Sequence, residues 1–280
     1  MKIINAHIHL IEIDKISDKE KYLEILHTIP SFKNLKETME IISLNNILKQ
    51  MEEAQISQSV LFACYAPIIY ASNEFVANIC KQYPGKFIGF ASLDPKDKNA
   101  TNVLEEAITK LNLKGLKLHP PLQNFYPNDK MMWPIYEEAN KLNIPIVFHV
   151  GSTPFGSLVK LSQANPLLID EVAVNFPKLK IILTHLGTLW HNETFMIVEK
   201  NPNVYLDISA YPNEIRTLLT IEIIKRLGEN KLIFGTDFPM PYEGKLHKMK
   251  DYVECVNNLN LPEKIKEKIF YKNFENLLSI

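Results

Sequence analysis

A regular alternation of short apolar segments with helical patterns most constrains the fold of this 280-residue chain. Eight such segments are rich in β-branched and other apolar residues, as expected of parallel strands buried on both faces. They are the stretches Ile3–Leu10, Ser59–Cys64, Lys86–Leu93, Lys114–His119, Pro145–Val150, Lys180–His185, Asn203–Ser209 and Lys231–Thr236. Eight parallel strand–helix units predict a closed (β/α)8 barrel, the TIM barrel of the α/β class.

An open, doubly wound sheet is the alternative for such a pattern. Its dinucleotide-binding form needs a G-x-G-x-x-G motif after the first strand, and this motif is absent there. Two helical patterns after the last strand predict extra C-terminal helical structure. The full set of predicted helices is Met39–Met51, Asn73–Gln82, Asn102–Leu111, Asp129–Leu142, Pro166–Phe176, Glu193–Lys200, Glu214–Leu227, Lys245–Leu259 and Pro262–Leu278.

The charged stretch Glu12–Lys36 interrupts the alternation after the first strand. It contains Pro30 and a short helical pattern near Lys19–His27, so we predict an insertion at this point. Such an insertion forms either a lid over a pocket or a plain surface loop. No linker or low-complexity segment divides the chain, and we therefore expect one domain over residues 1–280.

Residues of the types that bind metals end five of the predicted strands. They are His7 and His9 on the first strand, His119, His149 and His185 on the fourth to sixth, and Asp237 after the eighth. Side chains two apart on a strand point to the same side, so His7 and His9 can converge on one ion. Because strand ends meet at one mouth of a TIM barrel, the pattern predicts a metal site there.

Several of these residues also have a purely structural interpretation. His149 and His185 are alternatively core histidines, and Asp237 alternatively caps the turn that follows it. His119 either contacts a substrate or supports the metal ligands. Arg216, beyond strand seven, is a candidate for binding a substrate carboxylate, with a solvated helix position as its alternative.

Other polar and aromatic residues near the strand ends have less defined roles. Lys117 shares the face of His119, and we favour a supporting role for it. Asp207 and Ser209 share a face on strand seven, where they either point inwards or hold a loop. Aromatic residues that follow strands either wall a substrate pocket or pack the loops; they are Phe125, Tyr126, Trp133, Phe155, Trp190 and Tyr211.

The motifs at the strand ends resemble those of a known family. They read N-A-H-I-H, G-L-K-L-H-P, F-H-V-G, L-T-H-L-G, N-V-Y-L-D-I-S and F-G-T-D-F-P along the chain. In this order the chain resembles the amidohydrolase superfamily, specifically the amidohydrolase-2 branch of predicted metal-dependent TIM-barrel hydrolases. That branch also holds non-oxidative decarboxylases of the aminocarboxymuconate-semialdehyde type. The motifs are not specific for a substrate.

The resemblance implies a role for each of the central residues. It implies that His7, His9 and His149 ligate one divalent metal, with Asp237 as a further ligand or as an acid/base. It implies that His185 is a catalytic histidine beside the metal or an extra ligand. We expect zinc, with manganese or another divalent ion as the alternative. Relatives with a carboxylated lysine on strand four hold two metals, but this branch is usually mononuclear.

Two activities compete for such a site. A bound metal lowers the pKa of water from about 15.7 to about 7, so we expect first a hydrolase of a C–O or C–N bond in a small ester, lactone or amide. The alternative is a non-oxidative decarboxylase of a small unsaturated or aromatic acid, in which Asp237 gives a proton to carbon. A metal-dependent nuclease or phosphoesterase and a non-catalytic metal-binding protein are less favoured.

Composition limits the partners of the chain. The formal net charge of −1 gives no basic surface for nucleic acid, and no apolar run approaches the roughly 18–20 residues needed to span a membrane. Cys64, Cys80 and Cys255 form no C-x-x-C pair and are expected to be reduced thiols. The first strand begins almost at Met1, so we expect no signal peptide and a cytoplasmic protein. The family resemblance implies a small-molecule substrate and, since relatives often form dimers, a homodimer.

Overall fold

The computed structural model describes residues 1–12, 15, 40–66, 69–153, 155–240 and 246–279. Apart from Glu12 and Lys15, the predicted insertion Glu12–Lys36 lies outside the described residues, and so does the short helical pattern near Lys19–His27. In these described ranges, no helix combines the length and the apolar character that crossing a membrane requires.

Eight parallel strands occur within the described residues. They are β1 (Ile4–His9), β2 (Gln58–Phe62), β3 (Phe87–Phe90), β4 (Leu116–Leu118), β5 (Ile146–Phe148), β6 (Ile181–Leu183), β7 (Val204–Asp207) and β8 (Leu232–Ile233). One sheet has the order β1–β2–β3, and the other has the order β8–β7–β6–β5–β4. Sequential strands are therefore neighbours throughout, as a barrel built from repeated strand–helix units requires.

Single parallel bridges join the two sheets at both seams. One bridge pairs Ile8 with Phe238, and the other pairs Ala91 with Leu116. At the first seam, the backbone N–H of His9 donates to the carbonyl oxygen of Phe238 at 2.8 Å. The predicted (β/α)8 barrel is thereby confirmed, with continuous ladders replaced by single bridges at the two seams.

The strands are shorter than predicted, most clearly at β8. The sequence predicts Lys231–Thr236, whereas the strand comprises Leu232–Ile233. The reason is that the backbone N–H of Phe234 donates to the carbonyl oxygen of Ile269 at 3.0 Å. The segment after β8 nevertheless stays beside β1, since the N–H of Ala6 donates to the carbonyl oxygen of Phe234 at 2.8 Å and the N–H of Asp237 donates to that of His7 at 2.9 Å.

Helices cover the outside of the barrel. They are α1 (Leu44–Glu53), α2 (Asn73–Gln82), α3 (Ala100–Thr109), α4 (Trp133–Lys141), α5 (Leu167–Asn175), α6 (His191–Lys200), α7 (Pro212–Leu218), α8 (Ile221–Leu227), α9 (Met249–Asn257), α10 (Glu263–Glu267) and α11 (Asn273–Leu278). A short helix, Pro120–Gln123, follows β4, and a π-helical turn, Lys268–Lys272, joins α10 to α11.

Side-chain caps explain two departures from the predicted helices. Within the predicted stretch Met39–Met51, residues 40–41 are helical, and α1 begins anew at Leu44, where Ser43 Oγ accepts a hydrogen bond from the N–H of Asn46 at 3.1 Å. The predicted helix Glu214–Leu227 is two helices, α7 and α8. Thr220 Oγ1 accepts from the N–H of Ile223 at 3.3 Å and so begins the second helix.

The barrel interior is apolar at one end. Its buried side chains form a cluster from six strands and α11, namely Ile4, Ala6, Val60, Phe62, Phe90, Val147, Ile182, Ile233, Phe274 and Leu277. Because α11 contributes Phe274 and Leu277, the C-terminal helix packs against the starts of the strands. The polar residues of the interior are thereby left to the opposite end, where the strands finish.

A register shift in β1 turns both of its histidines inwards. The pairing of β1 with β2 is irregular between Asn5 and Ile8. Ala6 belongs to the interior cluster, while Ile8 packs in the layer between barrel and helices. Without a bulge, Ala6 and His7 would face opposite sides of the sheet. The irregularity lets the apolar residue and the following histidine both face the barrel interior.

Candidate active site

A cavity of about 170 Å³ lies at the carboxyl ends of the barrel strands. Six predicted site residues line it, namely His7, His9, His119, His149, His185 and Asp237. Apolar side chains line much of the rest, including Ile11, Ile42, Ile69, Leu122, Phe155 and Met240. The cavity therefore combines a cluster of polar, titratable groups with apolar walls, as small-molecule sites commonly do.

Three of these side chains converge on one point. The Nε2 atoms of His7 and His9 lie 3.1 Å apart, and Asp237 Oδ1 lies 3.0 Å from the first and 3.2 Å from the second. His185 is close by, since one ligand atom each from His7, His185 and Asp237 all lie within 4.8 Å of one another. Two imidazole nitrogens and a carboxylate oxygen form a compact donor triangle.

The spacing of this triangle fits a metal ion. Ligand atoms about 2.0–2.2 Å from an octahedral or tetrahedral ion lie about 3.0–3.5 Å from one another. Imidazole nitrogen together with carboxylate oxygen suits zinc and manganese alike. The donors at the end of the barrel are thus arranged as an ion would require.

Asp207 and Ser209 hold the ring of His7 from the other side. Asp207 Oδ2 lies 2.5 Å from His7 Nδ1, so this nitrogen donates its proton to the carboxylate. Ser209 donates to Asp207 through both its backbone N–H and its hydroxyl, each at 2.8 Å. With Nδ1 protonated, the lone pair of His7 lies on Nε2, within the donor triangle.

The sequence left open whether Asp207 and Ser209 point into the barrel or hold a loop. In the structure both side chains lie against the ring of His7. The available signal was their spacing of two residues at the end of β7, which puts both side chains on one face. Which face that is depended on how β7 aligns with β1 across the barrel, and local sequence does not contain that information.

A hydrogen-bond relay orients His185 and His149. His185 Nδ1 donates to the carbonyl oxygen of Ser209 at 2.8 Å, so a neutral ring carries its lone pair on Nε2. That Nε2 lies 3.1 Å from His149 Nδ1, which must then be the donor. His149 Nε2 is left with a lone pair, and it is buried without a hydrogen-bond partner in the described part of the chain.

Burial dominates the charge states of the imidazoles. It lowers the pKa of His9 and that of His185 to about 4 each, and it holds the pKa of His149 well below the ordinary value. His7 differs, because Asp237 and Asp207 outweigh the effect of burial and raise its pKa. Most of the rings are therefore neutral at pH 7, the form in which imidazole binds metals.

Asp237 is an anion in this setting. Burial alone would raise its pKa, but the neighbouring imidazoles, first His7 and His185 and then His9, hold the pKa well below the ordinary range. The Asp237 side chain is 10% exposed, so it reaches the cavity while remaining largely shielded from water.

The backbone around the site adopts strained conformations. His185 and Asp237 have φ values of 60° and 53°, in the left-handed region that non-glycine residues avoid. Gly235 lets the chain after β8 lie close to the side chains of His7 and Asp207. A Cβ at this position would lie 2.9 Å from His7 Cβ and would overlap Asp207 Oδ1. Strain of this kind persists where surrounding structure fixes it, and it is common at active sites.

His119 contacts the face of the His149 ring, whereas the relay uses the edge of that ring. Its ring stacks on that of His149, with centroids 3.9 Å apart and planes inclined by 10°. His119 Nδ1 accepts a hydrogen bond from the N–H of Leu122 at 3.3 Å, which fixes the ring at the start of the short helix. His119 thus both lines the cavity and buttresses His149, so the geometry accommodates both alternatives for this residue.

Arg216 lies outside this constellation. It is exposed on α7, its guanidinium donates to Asn213 Oδ1 at 2.5 Å, and it is not among the residues that line the cavity. The solvated helix position is therefore the interpretation that the geometry supports. Of the six aromatic residues noted after strand ends, Phe155 and Tyr211 line the cavity.

Comparisons with known proteins identify relatives of this chain. The gamma-resorcylate decarboxylase of Polaromonas sp. JS666 is 26% identical over 255 residues, covering 75% of each chain. A solved structure of a dihydroxybenzoic acid decarboxylase from the same organism, with bound manganese and the inhibitor 2-nitroresorcinol, has a TM-score of 0.76 at 20% identity. It covers 99% of this chain and 97% of the other.

A further solved structure shares the fold without a stated activity. It is an uncharacterized TIM-barrel protein from Bordetella bronchiseptica, with a TM-score of 0.77 at 22% identity. It covers 100% of this chain and 99% of the other. At this level of identity, the likeness supports the fold and nothing finer.

The relatives contradict the first of our two expected activities. The sequence led us to place hydrolysis of a C–O or C–N bond ahead of decarboxylation, whereas the named relatives are decarboxylases. That prediction is wrong. The same metal ligands and the same aspartate serve both reactions, so the motifs alone could not separate them.

The family comparison covers almost the entire chain. The model of the family described as Amidohydrolase matches residues 4–280, from β1 through α11. The strand-end motifs that carried the resemblance all lie inside this match. The chain is therefore an enzyme that belongs to the amidohydrolase family.

Proposed function

We propose that this protein is a metal-dependent, non-oxidative decarboxylase of a small aromatic acid. The observation that carries the proposal is the donor triangle of His7, His9 and Asp237, which opens onto a cavity with apolar walls. The decarboxylases among its relatives support the same reaction class.

The size of the cavity supports a substrate with one ring. Its volume is about 170 Å³, and an apolar cavity of about 150 Å³ is enough to hold benzene. A single substituted ring therefore fits, whereas a fused or extended ring system requires the walls to move. Phe155 and Leu122 supply apolar surface against which a ring can pack.

The proposed metal ligands are His7, His9 and Asp237, with His149 Nε2 as a further buried donor that lacks a partner in the described residues. A divalent ion held there supplies positive charge that draws oxygen atoms of the substrate and stabilises negative charge. The sequence favours zinc, but the manganese in the similar Polaromonas structure favours manganese for this chain.

Asp237 is the proposed proton carrier. Its pKa is held low, so it enters the reaction as a carboxylate and takes a proton from the bound acid or from water. When the bond between the ring carbon and the carboxylate breaks, the electron pair stays on the carbon and carbon dioxide leaves. Asp237 then gives its proton to that carbon, which balances the conversion of RCO₂⁻ and H⁺ into RH and CO₂.

His185 is the proposed partner of this aspartate. Its Nδ1 lies 3.9 Å from Asp237 Oδ2 while it donates to Ser209. A neutral ring held in one orientation can stabilise the protonated and ionised forms of the carboxyl group in turn. Its hydrogen bond with His149 keeps that orientation fixed.

Measurement of carbon dioxide release tests the proposal. We would load the protein with Mn²⁺ or Zn²⁺ and offer it a panel of hydroxybenzoic acids, small unsaturated acids, esters and lactones. We expect carbon dioxide from at least one aromatic acid, and one deuterium on the product ring when the reaction runs in D₂O. Absence of carbon dioxide across the panel, from protein shown to hold its metal, would refute the proposal.

Elemental mass spectrometry of protein purified without chelators tests the metal. We expect about one divalent ion per chain, since the metal-type side chains of the described residues gather at one point, where His7, His185 and Asp237 lie within 4.8 Å of one another. The organisation as one domain over residues 1–280, the homodimer and the cytoplasmic location stay predictions.

A further inference from the structure

Lys117 is a buried lysine that no described residue neutralises. It lies on β4, is 3% exposed and lines the cavity together with the donor triangle. Its Nζ makes no hydrogen bond within the described residues, and its only described cation–π neighbour is the ring of Phe62, with the centroid 4.9 Å away. An ammonium group removed from water without a counter-ion is costly, so its position calls for a partner.

Among the described residues, the two carboxylates whose charge acts on Lys117 are engaged elsewhere. Asp207 is held by His7 and by two hydrogen bonds from Ser209. Asp237 Oδ1 lies within 3.2 Å of the imidazoles of His7 and His9. Neither carboxylate lies within 4.0 Å of the lysine Nζ, since no such ion pair occurs in the described residues.

The lysine retains its charge at neutral pH. Burial lowers its pKa to about 8, and attraction to Asp237 and Asp207 opposes a larger fall. Its other close neighbours in the cavity, including His119 and His149, are imidazoles that burial keeps neutral. Lys117 thus gives the cavity a fixed positive charge in addition to any bound metal.

We propose that Lys117 binds the carboxylate of the substrate and thereby selects acid anions over neutral molecules of the same shape. This inference rests on the proposed function, because it names the group that recognises the acid in that site. The ammonium can donate three hydrogen bonds, so it provides charge-assisted hydrogen bonds to a carboxylate, whereas the anion Asp237 in the same cavity is already held by His7 and His9.

A carboxylate-binding lysine has a distinct kinetic signature. The negative charge is on the carboxylate when the substrate binds and moves to carbon as carbon dioxide forms. Lys117 therefore stabilises the bound substrate at least as much as the transition state, so its loss raises KM and leaves kcat nearly unchanged. A lysine that delivered the proton to carbon would instead lower kcat.

Benzoate and benzamide form a matched pair of probes for this site. They have nearly the same shape, but only benzoate carries a charge at pH 7. We would measure the binding of both to wild-type protein and to Lys117→Met by calorimetry, with the metal bound and again after chelation. We expect the substitution to weaken benzoate binding at least about tenfold and to change benzamide binding by less than about twofold.

Lys231→Met provides the control. Lys231 is partly buried, but its Nζ donates to the carbonyl oxygens of Asn201, Pro202 and Val204 at 2.7–2.8 Å and does not reach the cavity. We expect it to lower the melting temperature and to leave the preference for benzoate intact. Lys117→Met should melt at the wild-type temperature or higher, since it removes an unpaired buried charge.

Three results would overturn the assignment of Lys117. They are unchanged benzoate binding in Lys117→Met, equal weakening of both probes, and failure of wild-type protein to prefer benzoate. The proposed function fails separately. If the charge preference depends on Lys117 but no acid releases carbon dioxide, the binding site stands and the decarboxylase proposal falls. If carbon dioxide is released with an unchanged KM in Lys117→Met, only the lysine assignment falls.

Discussion

Asp207 Oδ2 lies 2.5 Å from Nδ1 of His7, on the side of the imidazole that faces away from the donor triangle. Because the carboxylate accepts a hydrogen bond from Nδ1–H, the proton of a neutral ring stays on Nδ1 and the lone pair lies on Nε2, beside His9 and Asp237. Asp207 therefore sets the tautomer of His7 without being part of the triangle. Such a pairing between a carboxylate and a metal-binding histidine raises the basicity of the ring and fixes its orientation.

Asp207→Asn should weaken metal binding while leaving the fold intact. The amide cannot accept the proton with the strength of a carboxylate, so the Nε2 tautomer of His7 becomes less favoured. Loss of a partner of this kind typically costs about 10–100-fold in metal affinity. Competition with a fluorescent chelator gives the affinity directly.

Asp170→Asn is the matched control for that substitution. Asp170 lies on α5 and pairs with Lys200 at 2.6 Å, away from the cavity. The substitution removes one carboxylate of the same type, but this carboxylate does not line the cavity and an exposed ion pair contributes little to the stability of the fold. We therefore expect metal affinity to stay within about twofold of wild type. Equal metal affinities in both variants would show that Asp207 does not tune His7.

The alternation of strands and helices was sufficient to predict the barrel and the end of the barrel that carries the cavity. Strand ends are local features, marked by Gly or Pro, and the barrel brings them to one mouth whatever the loops do. His7, His9, His119, His149, His185 and Asp237 were placed together on that reasoning, and all six line one cavity. Their chemical roles stay predictions.

What the sequence could not supply depends on contacts between distant elements. The irregularity between Asn5 and Ile8 that turns His7 inwards is set by pairing with β2. The contact of Asp207 with His7 joins residues 200 positions apart. The lack of a partner at Lys117 among the described residues is likewise a property of the assembled cavity. The prediction of a single helix over Glu214–Leu227 was wrong for a local reason, because Thr220 is an N-cap residue that begins a second helix.

Gly235→Ala should damage the metal site more than the fold. A Cβ at this position would overlap Asp207 Oδ1 and lie 2.9 Å from His7 Cβ, so one of the two side chains must move. Overpacking of this kind costs about 1–3 kcal/mol of the free energy of unfolding. We also expect metal affinity to fall at least about tenfold, because the moved groups are those that orient His7.

Gly85→Ala separates the two effects of that substitution. Gly85 has a φ of +77°, and no described atom lies within 4 Å of the position that an alanine methyl group would take, so an alanine there is strained but meets nothing. We expect a loss of about 1–2 kcal/mol in stability from the left-handed backbone alone. Urea titration gives the stability of both variants. A loss of metal affinity in Gly85→Ala equal to that in Gly235→Ala would contradict the steric explanation.

Cys64 should resist alkylation although it lines the cavity. Burial raises the pKa of its thiol to about 12, with Lys117 opposing the shift. At pH 8 only about one thiol in ten thousand is then a thiolate, the form that reacts with iodoacetamide. The labelling rate should rise about tenfold per pH unit while the protein stays folded. Peptide mass spectrometry follows this rate, and rapid labelling at pH 7 would contradict it.

Asp237→Asn should cut turnover by orders of magnitude without unfolding the protein. The amide can neither take a proton from the bound acid nor give one to carbon, and loss of general acid–base catalysis costs about 10²–10⁴-fold in rate. The assay is carbon dioxide release at saturating Mn²⁺, with bound metal measured in parallel because Asp237 Oδ1 also belongs to the donor triangle. The variant should melt within a few degrees of wild type, since the asparagine fills the same space. Wild-type turnover in a metal-loaded Asp237→Asn protein would remove Asp237 from the mechanism and make His185, whose Nδ1 lies 3.9 Å from Asp237 Oδ2, the next candidate for the proton carrier.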